Sequence, residues 1–92
     1  MYQPVYTKQF RKDIKRIEKS GNKDIKKLKT VIRALVDGKQ LDSSYRDHQL
    51  KGNFKDRREC HIQPDWLLVY KIDESEKIII FERTGNHSDL FE

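Results

Sequence analysis

The spacing of apolar residues changes once along this 92-residue chain, and that change constrains the fold more than any other feature. Up to Gly38 they recur every three or four positions: Phe10, Ile14 and Ile17, then Ile25, Leu28, Ile32 and Leu35, with Val31 and Val36 broadening the stripe. That is one face of a helix, interrupted once. From Phe54 onward they alternate in short runs separated by turn residues, the two-residue period of strands. A chain this short supplies one compact domain, residues 1–92. The expected fold is therefore α+β, with two N-terminal helices packed on an antiparallel sheet.

The punctuation places the elements. Tyr2 to Tyr6 forms a short first strand that Pro4 confines to an edge or a bulge. Thr7 offers an N-cap hydroxyl, Gly21 a left-handed end to the first helix, and Asn22 a cap for the next. Gly38 closes the second helix, and the pair is expected to form an antiparallel hairpin. A polar connection from Lys39 to Gly52 carries His48. Strands follow over Phe54–Ile62, Trp66–Ile72 and Lys77–Thr84, joined by turns short enough to make neighbours antiparallel. The tail, Gly85 to Glu92, makes a helical turn or a loop.

Composition narrows the class. No apolar run approaches the roughly 20 residues that span a bilayer, so no membrane is expected. The opening MYQPVYTKQF lacks an apolar stretch behind a basic head, so a secretory leader is not expected. A lone cysteine, Cys60, forms no internal disulfide and suits a reducing cytoplasm. The net charge is +5, yet Lys8 to Arg33 alone holds eleven Lys/Arg against Asp13, Glu18 and Asp24. A block this basic attracts nucleic acid, although a solvated helical face would look the same.

Titratable residues gather in the other half. The run RDHQLKGNFKDRRECHIQPDWLLVYKI holds His48, Glu59, His61 and Asp65, and FERTGNHSDLFE holds Arg83, His87 and Phe91. Strand alternation puts Glu59 and His61 on one face and Arg58, Cys60 and Ile62 on the other. With Cys60 and Ile62 in the core, Glu59 and His61 take the open face, where Arg83 and the tail can join them. Histidine, carboxylate and arginine are what RNA cleavage by internal transfer requires. A base frees the ribose 2′-oxygen, a cation stabilises the crowded phosphate and an acid protonates the departing 5′-oxygen. An aromatic such as Phe91 can stack on an unpaired base. Plainer readings exist: Arg83 can pair with Glu82 or Asp89, Asp65 can serve only the turn, and Phe91 can anchor the tail. Cys60 and His61 point oppositely and no CxxC or HExxH spacing occurs, so neither metal nor other cofactor is expected.

The same residues carry a family resemblance. The DH-x-L-x-G element, the H-x-x-PDW-x-L-x-Y hairpin and the R-x-G-x-H-x-x-LF tail together resemble YafQ-type toxins of the RelE superfamily, and the likeness spans nearly the whole chain. It implies a β-α-α-β-β-β core with a short terminal helix. It also implies cleavage of ribosome-bound mRNA, which blocks translation, and a cognate antitoxin through which alone operator DNA would be bound. By position it puts the active-site histidines on His48, His61 and His87, the acid on Asp65, the arginine on Arg83 and the terminal aromatic on Phe91. Where such sequences can carry Asp, this chain has Glu59, expected to support substrate binding. Lys8, Arg11, Lys12, Lys15, Lys23, Lys26 and Lys27 flank the apolar stripe and are the expected contacts to ribosomal RNA. The alternatives are a gyrase-inhibiting toxin of the same fold and a nucleic-acid-binding module that never cuts.

Overall fold

The computed structural model describes residues 1–91, so Glu92, the end of the expected tail, lies outside the described residues. In chain order the elements are β1 (Gln3–Tyr6), α1 (Lys8–Ser20), α2 (Ile25–Val36), β2 (His48–Gln49), β3 (Arg58–Gln63), β4 (Trp66–Asp73), β5 (Ile78–Gly85) and α3 (His87–Phe91). Two 3-10 turns, Ser43–Tyr45 and Gly52–Phe54, flank β2. One five-stranded sheet has the order β1-β5-β4-β3-β2. α1 lies against β5, and α2 against β3.

The apolar stripes meet the inward face of the sheet. Phe10 and Ile17 of α1 and Leu28, Val31 and Leu35 of α2 bury themselves against Cys60, Ile62, Trp66, Leu68, Tyr70, Ile79 and Phe81. The polar atoms drawn in with them are satisfied. Trp66 Nε1 donates to Thr84 Oγ1 at 2.9 Å, and Thr84 Oγ1 donates to the Leu67 carbonyl at 2.8 Å. Burial pushes the Cys60 thiol well up from its ordinary range, which makes it an inert core residue.

Several sequence expectations need correction. The sheet is mixed, because β1 pairs parallel to β5, with Gln3 opposite Ile78 and Tyr6 opposite Phe81. Turn length revealed the direction of consecutive strands but could say nothing of a partner at the far end of the chain. Pro4 does sit on an edge strand. Asp24, not Asn22, caps α2 and accepts from the Lys26 N–H, while Asn22 Oδ1 takes the Ser20 hydroxyl. The second expected strand, Phe54–Ile62, starts later, at Arg58, and Phe54 belongs to a 3-10 turn. His48 lies in a two-residue strand, not in an irregular connection. Thr7 and Gly21 act as expected: the Thr7 side chain accepts from the Phe10 N–H, and Gly21 ends α1 at φ 70°, the left-handed region.

One buried carboxylate joins helix to sheet. β1 stops at Tyr6, which would leave the end of β5 unpaired on the edge away from β4, and α1 takes over that role. Thr7 Oγ1 donates to the Glu82 carbonyl at 3.0 Å, and Arg16 Nη2 donates to the Thr84 carbonyl at 3.3 Å. The Thr84 N–H donates to Asp13 Oδ2 at 3.1 Å. Asp13 is fully buried and also receives Arg83 Nε at 2.8 Å and Arg16 Nη1 at 3.1 Å. Burial alone would raise its pKa, but the Arg83 hydrogen bond, the Thr84 N–H and the two guanidinium charges outweigh it and hold the carboxyl below its ordinary value.

Removing one partner of a buried pair is costly, so Asp13→Asn should lower the unfolding free energy by about 3 kcal/mol, read from urea denaturation. The wild-type advantage is complete above the ordinary carboxylate value and disappears as pH falls through the lowered folded value. An advantage that persisted unchanged in acid would mean that ionised Asp13 is not its source.

Candidate active site

Strand pairing brings the first group together. His48 of β2 lies opposite Glu59 of β3, and His48 Nε2 is 3.0 Å from Glu59 Oε2. Arg46 enters the left-handed region at φ 50° and turns its carbonyl toward His48 Nδ1, at 2.7 Å. Both ring nitrogens thus face acceptors, and only the imidazolium has an N–H for each. Glu59 is only 7% exposed, so it is not the open-face residue that alternation suggested, because His48 covers it.

His61 stands two residues further along β3, with its ring centroid 6.4 Å from that of His48. Its Nδ1 is 3.3 Å from the Pro64 carbonyl, within the β3–β4 turn. A carbonyl only accepts, so a hydrogen bond here takes the Nδ1–H tautomer, in which Nε2 is the acceptor. A cleft of about 400 Å³ opens beside it, lined by Lys27, Ser44, Tyr45, Arg46 and Pro64 among others. Asp65 is exposed next to Pro64, and among the described residues its side chain makes no hydrogen bond or ion pair. The segment ahead of His48 is tied down by Asp47, whose Oδ1 receives the Tyr70 hydroxyl at 2.6 Å and whose Oδ2 pairs with Arg58 at 3.3 Å.

The second group lies across β4. The sheet register runs from His61 through Leu67 to Gly85, and from Glu59 through Val69 to Arg83. Each row crosses two strand spacings, about 10 Å in all. A register shift between Val69 and Tyr70 leaves Glu82 as an extra residue in β5. Arg83 does not join the histidines: its Nε and Nη2 go to Asp13, a partner neither Glu82 nor Asp89 replaces. His87 opens α3 immediately beyond this row, and its ring centroid is 5.2 Å from that of Phe91. Asn86 Oδ1 accepts from the Asp89 N–H at 2.7 Å, and Asp89 pairs with Arg16 at 3.6 Å. α3 sits so close that a Cβ on Gly85 would lie 2.8 Å from Arg16 Nη2 and 3.1 Å from Asp89 Oδ2. A side chain there would have to push aside the Arg16–Asp89 pair, and φ 157° disfavours one as well.

His48, Glu59 and His61 are therefore in one cluster, His87 and Phe91 in another, and Arg83 between them but turned to α1. Lys8, Arg11, Lys12, Lys15, Lys26 and Lys27 are exposed and Lys23 is half-buried. Among the described residues no three His, Cys, Asp or Glu side chains form a group that could hold a metal ion. Asp13 escaped sequence reasoning, although an aspartate between Phe10 and Ile17 on an apolar stripe is a visible signal of a buried pair.

Comparison with known proteins places this architecture. The model of the YafQ toxin family, bacterial toxins of type II toxin–antitoxin systems, matches residues 2–92. The mRNA interferase toxin YafQ of Escherichia coli K12 is 41% identical over 87 residues, covering 94% of this chain and 91% of that protein. The toxin in the crystal structure of the E. coli DinJ–YafQ complex superposes with a TM-score of 0.90 at 39% identity, each chain covered to 100%. A metal-bound toxin from Helicobacter pylori superposes at 0.91 with 43% identity, over 99% of this chain and 100% of that one. The chain belongs to the YafQ family of bacterial toxins of type II toxin–antitoxin systems.

Proposed function

We propose that this toxin is a metal-independent endoribonuclease that cuts ribosome-bound mRNA in the cytoplasm and is silenced by a cognate antitoxin. The observation that carries the reading is the His48–Glu59–His61 cluster, with His87 opening α3 two residues beyond Gly85, the end of the His61 row. The E. coli relative named an mRNA interferase supplies the substrate class, and the DinJ–YafQ complex supplies the kind of partner. Operator DNA would be reached through the antitoxin complex.

In this mechanism His61 Nε2 takes the proton of the ribose 2′-hydroxyl, because its Nδ1–H is committed to the Pro64 carbonyl. Asp65, exposed in the same turn, is the competing base. The 2′-oxygen attacks the adjacent phosphorus as the bond to the 5′-oxygen breaks. His48, set against Glu59, and the Arg83 Nη1 that Asp13 leaves free stabilise charge on the phosphate oxygens. His87 gives its proton to the departing 5′-oxygen, and Phe91 stacks on a neighbouring base. Incubation with translating ribosomes, followed by mapping of mRNA ends, tests the whole reading. Uncut messages would reject it.

His87→Ala should slow single-turnover cleavage by roughly 10²–10⁴ while the circular dichroism spectrum stays native, as expected on loss of one general acid. Near-wild-type cleavage would remove His87 from the mechanism.

The upstream product should end in a 2′,3′-cyclic phosphate and the downstream one begin with a 5′-hydroxyl. Cutting should survive chelation of trace metals while ribosomes keep their magnesium. A 5′-phosphate on the downstream fragment would reject internal transfer.

Neutralising Lys8, Arg11, Lys12, Lys15, Lys23, Lys26 and Lys27 together should weaken ribosome binding. It should also flatten its dependence on log salt by about 0.7 to 0.9 for each phosphate that is no longer neutralised. Unchanged binding at every salt concentration would make these helices a solvated face only.

A further inference from the structure

We propose that Phe54, backed by Arg57, is a second stacking platform beside Phe91, taking a nucleobase of single-stranded RNA next to the cleaved phosphate. The proposal rests on the ribonuclease reading above and extends its substrate site to a residue that the family resemblance does not single out.

Phe54 is 43% exposed, while the phenylalanines of the sheet and first helix, Phe10 and Phe81, are fully in the core. One exposed apolar side chain is ordinary, and what sets Phe54 apart is its surroundings. Its ring meets Phe91 edge to face, with centroids 5.7 Å apart and planes at 88°. Phe91 in turn touches His87 at 5.2 Å. Phe54 is thus continuous with the group that carries the proposed acid.

The ring is also held in place. Its 3-10 turn is closed by the Lys55 N–H donating to the Gly52 carbonyl at 3.2 Å, and the next turn by the Arg57 N–H donating to the Phe54 carbonyl at 2.9 Å. The Arg57 guanidinium lies over the ring, 5.9 Å from its centroid, and is itself fixed by a hydrogen-bonded ion pair with Glu82, the extra residue of β5. A cation held over a ring by a residue of the sheet is a stacking surface prepared before any ligand arrives. Lys51 and Lys55 are exposed on either side of the same turn, in reach of a phosphate backbone.

These features favour a base over a protein side chain. Two perpendicular rings, one of them 43% exposed, suit a single strand whose successive bases are splayed apart. Flanking lysines match the one charged, flexible polymer the proposed reaction must hold. A Phe54 that served only to anchor α3 would need neither the overlying arginine nor the lysines.

The test uses full-length protein, wild type, Phe54→Ala and Phe54→Trp, with a single-stranded RNA decamer and with mRNA on programmed ribosomes. Stacking on one aromatic corresponds to about 5- to 150-fold in affinity. Phe54→Ala should therefore raise KM for ribosome-bound mRNA, and the Kd for the decamer, within that range, while kcat and the thermal midpoint stay close to wild type. Phe54→Trp should restore both, and the introduced indole should be quenched by the decamer, whereas buried Trp66 should not respond. A loss confined to kcat, or a lowered thermal midpoint without a change in decamer affinity, would overturn the proposal in favour of a tail anchor. Unchanged RNA affinity with weakened antitoxin binding would overturn it in favour of a protein contact. If wild-type protein leaves mRNA uncut yet the decamer still quenches the indole, the ribonuclease reading fails while the platform stands. Cutting by the wild type without quenching would overturn the platform and leave the ribonuclease reading in place.

Discussion

The sheet of this protein depends on a substitution of one kind of hydrogen-bond partner for another. β1 pairs with β5 only as far as Tyr6 and Phe81, and from Thr7 onward side chains of α1 and its cap serve the remaining β5 backbone. Asp13 is the centre of that exchange. A carboxylate with no solvent exposure is unfavourable alone, and it is tolerated here because an N–H and two guanidinium groups share it. The same contacts fix how α1 lies on the sheet and where β5 ends. Since β5 leads directly into α3, they also set the starting point of the segment bearing His87.

The two clusters are held by different physics. His48, Glu59 and His61 stand on paired strands, with Arg46, Pro64 and Asp47 orienting the rings and the approach. Arg46 and Pro64 act through backbone carbonyls, and Asp47 through its carboxylate, which takes the Tyr70 hydroxyl and the Arg58 guanidinium of the sheet. His87 and Phe91 stand on a single helical turn, tied back by the Arg16–Asp89 pair and by close packing over Gly85. A five-residue helix has little stability of its own, so its position is a tertiary property.

Much of the fold was legible in the chain, for identifiable reasons. Helical stripes and alternation reported which residues face the core, since burial acts on every turn or every second residue. Thr7 and Gly21 were readable because caps act within three or four positions. The larger failures share a cause: they involve partners distant in sequence. The parallel pairing of β1, the attachment of Arg83 to Asp13 and the covering of Glu59 by His48 each join segments that no local window contains. Phe54 was misplaced because Gly52 and Asn53 start a turn in what otherwise resembles the beginning of a strand. The Asp24 cap differs from the expected Asn22 by only two positions, the usual uncertainty where two polar residues compete.

The parallel pairing of β1 also bears on when the toxin can exist during its own synthesis. The first strand to be made finds its neighbour in the last one, so the sheet closes through contacts of very high sequence separation. Such topologies fold slowly relative to helical hairpins, because the loop entropy is lost before the pairing is gained. α1 and α2 can form early, but the Asp13 exchange and the His87 helix both wait for β5. A nascent chain cut short anywhere before that strand has neither a closed sheet nor an assembled pair of histidine clusters. The order of strands thereby acts as a delay, because the arrangement of both clusters waits until β5 has been made and has found β1.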